Sequence, residues 1–104
     1  MKLLDRIKAH IDYSNSYTIK RALGILEHEL CLAINNKDEG YAREVVYTAQ
    51  QLYVDFVGMT AEPGFIERVW VGRMQTFISY LIQRIKTEFN VLDVDEQLEE
   101  VTGD

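Results

Sequence analysis

One proline and six glycines in 104 residues leave this chain few places to turn. A fold built from many short strands needs a turn every few residues, and glycine and proline are the usual means of making one. Their scarcity predicts a few long, uninterrupted elements. With 47% hydrophobic residues the chain can build one compact core, and its length is that of a single domain.

The apolar residues recur with a helical period of 3.6, which predicts an all-α bundle of four to five helices. The first helix is expected over Lys2–Ile11, with Leu3, Leu4, Ile7 and Ile11 on one stripe. Ser14, Asn15 and Ser16 are candidate caps for the next helix, because their side-chain oxygens accept from free backbone amides. That second helix is expected over Tyr17–Ile34, striped by Ile19, Leu23, Leu26, Leu30 and Ala33. Gly24, in its middle, suggests close approach of a neighbour. A polar connection, Asn35–Gly40, leads to a third helix over Tyr41–Val57, with Gly58 as its stop.

Thr60 or Glu62 can start a fourth helix whose first turn accepts Pro63. This helix is expected over Phe65–Phe89, on a stripe of Ile66, Trp70, Met74, Phe77, Leu81, Ile85 and Phe89. Val71, Ile78 and Ile82 fall off that stripe and need cover from the first helix, the C-terminal segment or a second copy of the chain. Short connections make the helices mostly antiparallel neighbours. A segment of this length spans roughly 37 Å, longer than the roughly 33 Å diameter of a compact globule of this size. An elongated bundle or a homodimer follows.

The charge divides the chain in two. The net charge is −6, and Asp93, Asp95, Glu96, Glu99, Glu100 and Asp104 lie in a stretch with no Lys or Arg. Taking those six from the seventeen acids leaves eleven, which balance the eleven bases. Residues 1–92 thus form a neutral helical domain and 93–104 an acidic tail. No basic excess is available for nucleic acid, so direct nucleic-acid binding is not expected. Val91, Val94, Leu98 and Val101 keep helical spacing, so the tail can form a short amphipathic, docked helix.

No run approaches the roughly 18 apolar residues that cross a bilayer. Charges at Lys2, Asp5 and Arg6 break what a secretory leader keeps apolar, and a lone Cys31 suits a reducing compartment. The expected location is cytoplasmic. His28 and Cys31 lie three residues apart, but a structural zinc site needs about four ligands, so no metal or other cofactor is expected. Phosphate-binding glycine loops and catalytic motifs do not occur, and no catalytic residue is assigned.

Two binding readings remain. Tyr13, Tyr17, Lys20 and Arg21 cluster about the start of the second helix, where aromatic faces, cations and free amides suit a nucleotide or other phosphate. The leading expectation is instead a non-enzymatic protein-binding module, acting as a small regulator, adaptor or inhibitor. Trp70, Arg73 and Tyr80 are its expected interface residues, being types that dominate interface energetics. Glu96, Glu99 and Glu100 would supply charged contacts. A related alternative has the tail imitate a polyanion and inhibit a nucleic-acid-binding protein.

Overall fold

A computed structural model of the chain describes residues 2–59 and 65–91. These residues form four α-helices: α1 (Leu3–Lys8), α2 (Ser16–Asn35), α3 (Glu39–Met59) and α4 (Phe65–Phe89). No strand occurs among them. The expected acidic helix after residue 92, and the expected start signals at Thr60, Glu62 and Pro63, lie outside the described residues.

The boundaries follow from local hydrogen bonding. Asn15 caps α2, its side-chain oxygen accepting from the Tyr17 amide at 3.0 Å. Before it, Asp12 ties the α1–α2 connection: its Oδ1 accepts from the Ser14 amide and hydroxyl, at 3.0 and 2.6 Å. Its backbone is bracketed by the Thr18 hydroxyl, which donates to the Asp12 carbonyl and accepts from the Asp12 amide. This anchoring pulls the chain out of helical geometry, so α1 ends at Lys8 and not at Ile11.

α3 starts two residues before the expected Tyr41. Asp38 accepts from the Tyr41 amide at 3.0 Å and acts as the cap, while Lys37 (φ 55°) makes the left-handed turn after α2. At the other end α3 runs through Gly58 to Met59. Gly58 does not take the left-handed conformation that stops a helix, so its sequence signal was not used.

The bundle is built around α3. Its buried residues, Ala42, Val45, Val46, Ala49, Leu52 and Phe56 among them, occupy most of its circumference. α2 and α4 both pack on it, α1 lies against it with Lys8 paired to Asp55, and α2 meets α4 less extensively. Cross-helix hydrogen bonds set the directions. Tyr41, early in α3, reaches Glu29 late in α2, and Tyr53 meets Gln75 of α4. Tyr80 in turn reaches Glu27, so α2 and α4 run parallel, each antiparallel to α3. The molecule measures 40 × 30 × 19 Å. At 1.5 Å per residue α4 spans about 37 Å and so runs nearly its whole length.

Two expectations are corrected here. The buried face of α4 is centred on Met74, Ile78, Leu81, Ile82 and Ile85, so Ile78 and Ile82 lie in the core. Val71 is half-buried against it. The side that keeps uncovered apolar surface is the one carrying Val69, Phe77 and Tyr80. Gly24 is exposed, and a Cβ there would meet nothing within 4 Å, so it permits no close helix approach. No described helix is long and apolar enough to cross a membrane.

Candidate interaction groove

Val69, Arg73, Thr76, Tyr80 and Arg84 recur every three or four residues and therefore share one face of α4. That face looks toward Leu23 and Glu27, one turn apart on α2. Between the two helices lies an open groove of about 670 Å³. It stays open because its small members, Gly72 and Thr76, alternate with large ones. A Cβ on Gly72 would touch nothing within 4 Å.

Three expected interface residues come together here: Trp70, Arg73 and Tyr80 all line the groove. Trp70 is 8% exposed, its ring set into the core with an edge toward the groove. The Arg73 guanidinium lies 5.0 Å from the ring centroid, a cation–π arrangement that fixes a long side chain over the aromatic face. Phe77 and Tyr80 add a tilted ring pair with centroids 6.2 Å apart.

One end of the groove is clamped. Arg84 Nη1 donates to the Tyr80 hydroxyl at 2.9 Å, and that hydroxyl donates onward to Glu27 Oε1 at 3.1 Å. The contact with Tyr80 favours the charged form of Arg84 and raises its pKa further. Among the described residues neither Arg73 nor Arg84 has a carboxylate within ion-pair distance. Glu27, the carboxylate on the lining, is engaged by Tyr80. The groove therefore offers aromatic and aliphatic walls with Arg73 and Glu27 as the charged residues on its lining, and Arg84 bonded to Tyr80 at its end.

The other expected residues are placed differently. Tyr13 is half-buried, its ring 5.5 Å from that of Phe56, and its pKa is pushed up to about 12 by burial and by nearby Asp55. Tyr17 is 72% exposed, and Lys20 and Arg21 are exposed on α2. Tyr13 and Arg21 line separate depressions, the one with Arg21 holding only about 50 Å³. The amide of Tyr17 is already taken by Asn15. The four residues are thus not gathered about one volume. His28 is exposed and Cys31 half-buried, and no group of three metal-binding side chains occurs among the described residues. Glu96, Glu99 and Glu100 lie outside the described residues.

Sequence reasoning missed the α2 wall and the part played by Phe77. Leu23 and Phe77 were both assigned to core stripes, and each is half-buried at a core edge. Their apolar character was visible. That α2 and α4 run side by side was not, because it depends on both helices packing on α3. No protein-family model matches the chain, and neither the curated proteins nor the solved structures compared with it include a match.

Proposed function

We propose that this chain is a non-enzymatic protein-binding module, a small regulator, adaptor or inhibitor, whose α2–α4 groove receives an amphipathic segment of a partner protein. The observation that carries this reading is the meeting of Trp70, Arg73 and Tyr80 on one apolar trough. Aromatic and arginine side chains at the edge of a packed core give a partner large contact area at small entropic cost. A groove between parallel helices suits an apolar helical face presented at i, i+3, i+4 and i+7. The two arginines favour a partner segment with acidic flanks.

A photo-reactive amino acid at exposed Thr76 tests the reading, with the same group at exposed Tyr47 on α3 as the control. In the native cell, discrete protein adducts form from position 76 and not from position 47. Equal adduct patterns from both positions, or none from 76, refute it.

A homodimer has a specific observation in its favour as well. Val54, Val57 and Met59, at the C-terminal end of α3, are 43%, 43% and 67% exposed. A second copy covering them would remove apolar surface from water.

A further inference from the structure

We infer that the cleft between α1 and α2 is a second docking surface, one that receives an acidic amphipathic helix of a partner protein. This surface is separate from the α2–α4 groove, and its role does not depend on the one proposed there.

The cleft exists because α1 takes its packing from α3. Leu3 and Ile7 are buried in the core, while α1 makes few contacts with α2. Arg6 spans the gap, its Nη2 donating to Glu29 Oε1 at 2.8 Å. Because α1 ends at Lys8, His10 falls in the turn after it and is exposed at the mouth. The result is a depression of about 400 Å³ whose lining includes Leu3, Arg6, Ile7, His10, Ile25 and Glu29. Through Arg6, Ile7, His10 and Ile25 it continues into the smaller depression that reaches Arg21.

The α2 wall carries apolar side chains in water. Ile25 and Leu32 are 37% and 40% exposed. Seven residues apart, they stand on one face of the helix, two turns from each other. Arg21 and His28, both exposed, each precede one of them by four residues and so lie one turn away on that face. A base and an apolar side chain thus alternate along about 17 Å of helix.

Charge selects the occupant. Among the described residues His10, Arg21 and His28 have no carboxylate within ion-pair distance. Glu29, the acid on the lining, already accepts from Arg6 and from the Tyr41 hydroxyl. The whole chain carries −6, yet this lining sets Arg6, Arg21 and His10 against Glu29 alone. An acidic helix with apolar residues seven apart matches it. The apolar pair covers Ile25 and Leu32, and the flanking carboxylates meet Arg21 and the histidines. Leu23 and Glu27, on the α2–α4 groove, are each two residues from Ile25, hence about 160° from it around α2. The two surfaces face apart, so one molecule can hold a partner on each, as an adaptor does.

The test uses the full chain and two synthetic helical peptides of about four turns. Both carry leucines at i, i+3, i+7 and i+10; one is flanked by glutamates and the other by lysines at the same places. Amide signals of the isotope-labelled protein are recorded by NMR as each is added. The glutamate peptide shifts Ile7, His10, Arg21, Ile25 and Leu32 with a dissociation constant below about 1 mM, and leaves Gly72, Thr76 and Tyr80 in place. Raising salt from about 0.05 M to about 0.5 M weakens it severalfold, and the lysine peptide does not bind. Arg21→Glu, at an exposed helical position that tolerates the change, lowers the affinity about tenfold. Equal binding by both peptides, binding by neither, or a parent-like affinity in Arg21→Glu overturns the inference. Shifts confined to Gly72, Thr76 and Tyr80 overturn it too, while leaving the proposed function of the groove standing. Without peptide, cleft signals that move on dilution show a second copy there, and signals that move on deletion of residues 93–104 show the chain's own acidic segment; either overturns it. Cleft shifts by the glutamate peptide alone uphold the inference whatever adducts form at position 76.

Discussion

Glu29 shows how single residues hold this bundle together. Its Oε1 accepts from Arg6 Nη2 at 2.8 Å and from the Tyr41 hydroxyl at 2.7 Å, so one carboxylate joins α1, α2 and α3. The Tyr41 hydrogen bond, aided by Arg6, holds Glu29 below the usual carboxylate range. Burial and the adjacent carboxylate push Tyr41 up to about 12. The signs of the two effects differ. Glu29 contributes stability that is complete above about pH 4.3, its ordinary value, and is lost as pH falls through its depressed folded value. Tyr41 contributes stability that is complete below about pH 10 and is lost as pH rises toward 12. Denaturant titrations across pH should therefore show Tyr41→Phe lowering stability by about 1 kcal/mol at neutral pH and flattening the alkaline limb. In absorbance titrations at 295 nm, two tyrosines should ionise near pH 12, one vanishing with Tyr41→Phe and the other with Tyr13→Phe. Much at this scale was legible: Trp70, Arg73 and Tyr80 announce themselves by residue type. The Glu29 hub did not, because its three members are far apart in sequence and each is ordinary alone.

Among the elements, the helices were readable from period and their ends were not. A 3.6-residue stripe is repeated evidence for a helix, whereas a boundary depends on one or two side chains. Asp38 stands in a run of six polar residues and nothing in the run marks it as the cap. On α4 the stripe residues Trp70, Met74, Leu81 and Ile85 are buried as their spacing predicts, and Ile78 and Ile82 join them. The helix's apolar arc is wide enough to bury either side, and the choice is made by packing on α3. Gly24 offers a direct check of the corrected picture. Since its site is helical, exposed and free of neighbours, Gly24→Ala should stabilise the protein by about 1 kcal/mol, raising the melting temperature by roughly 4 °C. A destabilised Gly24→Ala would mean that another helix does pass close there.

At the scale of the whole molecule, packing on α3 decides what is left outside the core. α3 satisfies the core, and α2 and α4 are left facing each other across a groove that small residues hold open. The apolar patch at Val54, Val57 and Met59 lies at the end of α3, away from that groove's lining. Light scattering coupled to size exclusion should give the mass of two chains; a strict monomer at 100 μM, about the scale of weak homodimers, removes the homodimer reading.

The central claim is that the α2–α4 groove is the surface this protein works through, and one substitution addresses it most directly. Thr76→Arg puts a long cation into the groove from an exposed helical position, so the fold is retained. Tyr47→Arg makes the same change at an exposed site on α3 that does not line the groove. The measurement is partner capture from the native cell by each full-length variant, with melting temperatures taken alongside. The account predicts that Thr76→Arg loses capture by at least about tenfold, a cost near 1.4 kcal/mol, while Tyr47→Arg matches the parent and both melt as it does. Undiminished capture by Thr76→Arg would contradict it.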